Sequence, residues 1–275
     1  MAIVDTRMMF RPVSSGLVSL LREIPADAWS RPTIAGSWMV RDIVAHLIDL
    51  TFRRLSFHRD RMPPPHSGPI NSESDFVAFI NGLNRDFVEA TRRFSPEVLT
   101  DLFEKGSHDL AGFFEQLPLS APALFSVSWA GEQTSAGWFD IGREFTELWH
   151  HQAQIRLAVG AEPLQDPQYL HAVLLVALRG LPHAYRAVAA QTGASIAIEI
   201  GGRSGGVWAL VREPDRWTLQ AGHDARADAT VSLSDENAWR LLFNALPEAK
   251  AAAVTTIEGD SALALPFLRA RSVIV

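Results

Sequence analysis

Glu147-Leu148-Trp149-His150-His151, set inside residues 138–159 (WFDIGREFTELWHHQAQIRLAV), is the stretch that decides what this chain can be. Positions i and i+4 of an α-helix share a face, so Glu147 and His151 can reach one ion together. His150 points about a hundred degrees away from its neighbour and leaves that face. Leu148, Trp149 and Ile155 surround the pair, and an unpaired carboxylate is costly to bury among such residues. The apolar positions cover more than one narrow stripe, as in a helix contacted on several sides, and Gly160 marks its end.

A third group of the same chemistry lies upstream. Residues 38–59 read as a helix with Ser37 as its cap, and Val40, Ile43, Val44, Leu47, Leu50 and Leu55 form a broad apolar stripe bordered by His46. Two helices side by side would join His46 to Glu147 and His151. Such a His, Glu, His set leaves a divalent metal with an open position, the arrangement of catalytic rather than structural zinc sites. Asp49, three residues past His46, and Gln154, three past His151, are placed to orient the ligand imidazoles. Taken singly, each has an ordinary reading: a hydrogen-bonded histidine at a stripe edge, or a solvated i,i+4 contact.

Working outward, residues 13–24 give a first amphipathic helix through Leu17, Leu20, Leu21 and Ile24. Residues 25–36 form a loop carrying Trp29. Pro63, Pro64 and Pro65 stop the second helix, and residues 67–74 read as polar loop. Helical rhythm returns over 76–94, and Ser95 followed by Pro96 starts another helix running to about Leu117. Residues 118–137 are irregular and longer than a usual bundle connection.

After the proline-flanked stretch 161–167 the period changes. A helix over 169–191, broken at Gly180 and Pro182, precedes four short strand-like runs: 195–200, 207–211, 216–220 and 229–233. They predict a largely antiparallel sheet. Gly201 to Gly206 lacks the lysine of a phosphate loop and reads as a hairpin turn. Helices over 235–246 and 260–270 and a final apolar run at 272–275 complete an α+β domain.

At 275 residues, two domains are expected, divided here as 1–162 and 163–275. A content of 47% hydrophobic and 20% charged residues describes an ordinary globular chain. The net charge of −6 argues against nucleic acid as a partner, and the tryptophans read as core rather than as a base-stacking platform. Cysteine is absent, which excludes disulfides, thiolate ligands and a cysteine nucleophile; thiol chemistry would need a soluble cofactor. Neither a signal peptide nor a run of about eighteen apolar residues is present, so a cytoplasmic protein without a membrane partner is expected.

Residues 36–49 (GSWMVRDIVAHLID) followed by 143–151 (REFTELWHH) resemble the DinB-like metal-binding four-helix bundle, specifically the mycothiol-dependent maleylpyruvate isomerase family. The segment 227–236 and the later Glu258-Gly259-Asp260 resemble the sterol-carrier-like domain that accompanies the bundle. The resemblance implies an α+β chain: an N-terminal four-helix bundle, then a smaller α+β sterol-carrier-like domain. It implies a divalent metal, usually zinc, on His46, Glu147 and His151, and mycothiol as the low-molecular-weight thiol. Members often carry aspartate where this chain has Gln154. An arginine in the second domain is also implied, and Asn244 to Pro247 stands where a glycine-arginine pair would fall.

The functional expectation is a thiol-dependent isomerase or transferase acting on a small electrophilic substrate, as monomer or homodimer. A metal-held thiolate would add to a conjugated cis double bond, the resulting single bond would rotate, and elimination would return the trans product. Two alternatives stay open on the residues alone. One is an apolar-ligand or lipid binding protein with a structural or non-catalytic metal site, the other a dimerisation bundle without chemistry.

Overall fold

A computed structural model describes residues 3–65, 71–222 and 226–273. The chain forms two compact units. One comprises Thr6–Pro118 with Glu147–Pro163; the other comprises Met1–Asp5, Leu119–Thr146 and Leu164–Ile274.

The first unit is helical: α1 (Phe10–Glu23), α2 (Val40–Arg54), α3 (Glu73–Thr91), α4 (Pro96–Glu115) and the second half of α5 (Gly137–Val159). Its core joins Val13, Leu17 and Leu21 of α1, Val40, Ile43, Val44 and Ile48 of α2, and Leu99, Phe103 and Phe114 of α4, all buried. Phe10 meets Phe114 edge-on at 5.0 Å, an aromatic pairing that adds to the area buried. Gly106 lets α4 approach α2 closely, since a Cβ there would sit 3.0 Å from both Phe52 and Thr51. On the α5 side, Arg156 Nη2 donates to Gly16 O at 3.2 Å.

Local chemistry sets the helix ends. Ser95 Oγ accepts from Val98 N at 3.3 Å with Pro96 in the first turn, the cap and proline expected there. The start of α2 departs from expectation. Ser37 makes no cap; the helix begins at Val40, and Asp42 Oδ2 accepts from Met39 N–H at 3.0 Å, reaching back as acidic residues do in the first turn. The third helix begins three residues before the predicted Phe76, because Ser72 Oγ accepts from Asp75 N at 3.1 Å. The rest of the loop predicted over 67–74 lies partly outside the described residues. Beyond Arg54, α2 widens into one π turn, Leu55–Arg59, before the prolines.

In the second unit, α6 (Pro167–Ala177) gives way at Gly180 to the short α7 (Leu181–Ala184), with Pro182 in its first turn. The five strands are β1 (Ser195–Gly201), β2 (Gly206–Arg212), β3 (Trp217–Ala221), β4 (Ala229–Ser234) and β5 (Thr256–Gly259). The helices α8 (Asp235–Leu242), α9 (Glu248–Ala253) and α10 (Ser261–Ala264) complete the unit. Sheet order is β3-β2-β1-β4-β5, with β1 and β4 parallel and every other pairing antiparallel.

The fifth strand and the parallel pairing are additions to the sequence reading. Alternation shows which face of a strand is buried but carries no information about its neighbour's direction. Asp228 fixes that neighbour: its Oδ2 accepts from Ser195 N at 2.8 Å while its own N–H donates to Ser195 O at 3.0 Å, tying the start of β1 beside β4. Gly201 to Gly206 closes the β1–β2 hairpin as predicted, with Ile200 opposite Gly206. The helix predicted over 235–246 ends at Leu242, and the one over 260–270 is α10 followed by a 3₁₀ turn, Leu265–Arg269. Of the final run, Ser272 is buried and bonded to Ala177 O at 2.7 Å, and the last two residues lie outside the described set.

Seven of the eight tryptophans are buried, at 29, 129, 138, 149, 208, 217 and 239, so their reading as core holds. No helix among the described residues is long and apolar enough to cross a membrane.

Candidate metal centre

His46 stands in the second turn of α2, and Glu147 and His151 stand one turn apart on α5. The fold brings all three together: one ligand atom from each lies within 4.8 Å of the others. Both imidazoles aim Nε2 at the same carboxylate oxygen. His46 Nε2 is 3.7 Å and His151 Nε2 is 3.4 Å from Glu147 Oε2. His46 and His151 are buried, and the Glu147 side chain keeps 18% of its exposure.

The hydrogen bonds around the rings show what such a cluster needs. His151 Nδ1 lies 2.8 Å from Gln154 Oε1, an acceptor, so the ring proton belongs on Nδ1 and Nε2 turns its lone pair toward a carboxylate. His46 Nδ1 is buried without a hydrogen-bond partner. One carboxylate oxygen and two imidazole nitrogens therefore converge in a buried space, an arrangement in which one divalent cation could bind all three. The donor set, two imidazoles and one carboxylate with no thiolate, fits zinc and its divalent neighbours.

Protonation follows from position. Burial, and then the neighbouring His151 and Arg53 charges, push the His46 imidazole down to about 4 against the pull of Glu147, so the ring is neutral at physiological pH. Burial alone would raise the Glu147 carboxyl, but the imidazoles of His151 and His46 beside it outweigh burial and hold the group well below its usual range. Glu147 is therefore charged and His46 neutral.

Of the two residues expected to orient the rings, Gln154 contacts its histidine and Asp49 does not. Asp49 Oδ2 lies 3.0 Å from Arg53 Nη2, out of line for a hydrogen bond, while Arg53 donates to Asn84 at 2.7 Å. Asp49 and Arg53 are one helical turn apart, so the cation reaches the carboxylate locally. Burial pushes the Asp49 carboxyl up to about 6, with Arg53 opposing. His150, set aside in favour of His151, packs its ring 4.0 Å from that of His151 and lies outside the three-residue cluster.

Trp38 was not singled out from sequence. It lies 4.9 Å from the His46 ring and 6.0 Å from the His151 ring. The available signal was its place in the GSW segment just ahead of the histidine helix. Asn244, in the stretch where the resemblance implies a glycine-arginine pair, adopts a left-handed backbone and accepts from Arg271 Nε at 3.1 Å.

The chain thus joins a helical unit, in which His, Glu and His of two helices meet, to a mixed five-stranded sheet unit. Residues 10–156 match the family described as mycothiol maleylpyruvate isomerase N-terminal domain. The chain belongs to this family. A crystal structure of the mycothiol-dependent maleylpyruvate isomerase is similar in fold, with a TM-score of 0.57 at 12% identity over 94% of this chain and 93% of that one. A histidine-to-alanine mutant of the mycothiol-dependent maleylpyruvate isomerase aligns over the same shares at TM-score 0.52 and 12% identity. No curated protein matches the sequence.

Proposed function

We propose that this protein is a mycothiol-dependent enzyme of the isomerase type, with a divalent metal, zinc by its donor set, held by His46, Glu147 and His151. The single observation behind this reading is the convergence of three potential ligand atoms, from His46, Glu147 and His151, within 4.8 Å in a buried space, in a chain whose family is mycothiol-dependent. When bound, the metal would supply the Lewis acidity that keeps a low-molecular-weight thiol ionised at neutral pH.

The chain's own residues prepare that place. Glu147 contributes one negative charge, so the site keeps a formal charge near +1 with a divalent ion and favours an anionic sulfur over a neutral one. Gln154 holds the proton of His151 on Nδ1 and so keeps Nε2 open. The low protonation point of His46 keeps its lone pair available across the neutral range. The absence of cysteine means that no thiol of the chain competes for the open position. The substrate class is a small electrophile with a conjugated cis double bond, with thiol transfer as the variant outcome. The α+β region is read as a sterol-carrier-like domain.

Native mass spectrometry with elemental analysis, on protein purified without chelator, tests the site, and turnover of maleylpyruvate with and without mycothiol tests the reaction. One zinc per chain, lost in folded His46→Ala and Glu147→Ala variants, supports the reading. A wild-type chain that stays metal-free at micromolar free zinc sinks it.

A further inference from the structure

The eighth tryptophan, Trp38, is half-buried and lies against the candidate centre instead of in a core. We infer that Trp38 is a positioning residue: its indole fixes the plane of the His46 imidazole, the task that the Gln154 hydrogen bond performs for His151. The inference rests on the metal reading for its consequence, zinc affinity, and on ring packing alone for its cause.

The torsion that orients an imidazole is broad, so a ring that must aim one nitrogen needs an outside restraint. Histidines that bind metals ordinarily obtain it through a hydrogen bond at the other nitrogen. His151 has this bond at 2.8 Å, whereas His46 Nδ1 is buried and bonds to nothing. What meets the His46 ring is aromatic. Trp38 lies at 4.9 Å and 49°, and His151 stands edge-on at 4.8 Å and 79°. Rings at these separations attract in tilted and edge-on poses and resist rotation through one another. Two such neighbours leave the His46 imidazole little freedom to turn.

Trp38 is in turn anchored through its backbone. Its carbonyl accepts from Thr33 N at 3.0 Å and from Thr33 Oγ1 at 2.7 Å, and its N–H donates to Ala35 O at 3.2 Å. On the far side Val40 N donates to Arg31 O at 3.1 Å, so residues 31–40 form a closed clasp. Gly36 turns the clasp with φ +63°, in the left-handed region that glycine enters without penalty. A tryptophan that merely covered surface would need no such clasp, because a flexible loop would serve as well.

The test uses the full chain, metal-free, as Trp38→Leu and Trp38→Phe variants, with two measurements: nuclear magnetic resonance of the His46 ring protons, and zinc affinity by chelator competition. The ring-current shift of the His46 signals should disappear in Trp38→Leu and persist in part in Trp38→Phe. Zinc affinity should fall roughly 10- to 100-fold in Trp38→Leu and by less than about threefold in Trp38→Phe, the range for loss of a group that orients a ligand. Unchanged His46 signals in Trp38→Leu overturn the inference, as does unchanged zinc affinity in a chain that binds zinc. If the wild type takes up no zinc, the metal reading fails, and the ring signals still decide whether Trp38 orients His46. Should Trp38→Leu not fold, Trp38→Phe decides alone, since a phenyl ring must move the His46 signals partway.

Discussion

Replacing Glu147 with glutamine should separate the metal site from the fold by leaving stability nearly unchanged while metal affinity falls. In the metal-free chain, Glu147 Oε2 faces two imidazole nitrogens at 3.7 and 3.4 Å, and the Gln154 contact leaves His151 Nε2 as an acceptor. Glutamine puts an amide donor within reach of the same nitrogens and removes the desolvation of a carboxylate. The lost attraction of the carboxylate for its two imidazoles and the new amide hydrogen bond offset each other, so the metal-free variant should stay within about 1 kcal/mol of the wild type, the net worth of one hydrogen bond. Metal binding should respond far more strongly. Unit charges about 4 Å apart interact by about 4 kcal/mol at an effective dielectric near 20. That is a generous separation for ligand atoms lying within 4.8 Å of one another, and a divalent ion doubles the charge. Zinc affinity should then fall at least roughly a thousandfold, at about 1.4 kcal/mol per factor of ten. Urea denaturation without metal and zinc titration calorimetry measure the two quantities. A metal-free variant weaker by about 3–5 kcal/mol, the cost of breaking a buried ion pair, with zinc affinity near wild type, would refute the reasoning and make Glu147 a structural partner of the two histidines.

Three further outcomes are expected. Gln154→Leu should lower zinc affinity about 10- to 100-fold while the fold survives, because it frees the His151 ring without removing a ligand; calorimetry on the folded variant checks it, and wild-type affinity would contradict it. In the metal-free chain, the depressed His46 contributes stability that is present above pH 6.5 and lost as pH falls toward 4, at most about 3 kcal/mol. Asp49, raised to about 6, contributes oppositely: its stabilisation is full below its unfolded value of 3.8 and is lost as pH rises through 6. The two offset each other, so Asp49→Asn should lose stability more steeply than wild type as pH drops from 6.5 to 4; parallel urea midpoints for the two proteins would contradict this. Phe103→Ala, which empties a fully buried position on α4, should cost about 3–5 kcal/mol in a denaturant melt, and a loss below about 1 kcal/mol would mean that the helical core closes around the gap.

Helices and strands with strong periodicity were readable because burial imposes that periodicity on the residues themselves. The stripe through Ile43, Val44 and Leu47, the cap at Ser95 and the alternation of β1 and β2 need no knowledge of distant partners. The pairing of Glu147 with His151 is equally local, four residues on one helix, and the GSWMVRDIVAHLID segment supplied His46 through resemblance. Other features were hidden because spacing leaves a local competition undecided or because a neighbour far along the chain decides them. Asp42 displaced Ser37 as the capping group by folding back on Met39, which spacing alone leaves undecided. The strand β5 is four residues long, too short to show a pattern, and exists through its ladder with β4.

What the sequence determined is the set of donors: two histidines and a glutamate, no cysteine, and helical periods that can bring α2 and α5 side by side. What only the tertiary structure decided is how each donor is held. Asp49 and Gln154 occupy equivalent positions after their histidines, yet Gln154 reaches His151 Nδ1 while Asp49 is drawn to Arg53 one turn away. That leaves His46 Nδ1 without a bond and gives its ring to Trp38. Spacing along a helix fixes which residues share a face; competition among the charges and rings that packing brings to that face fixes which partner each one takes.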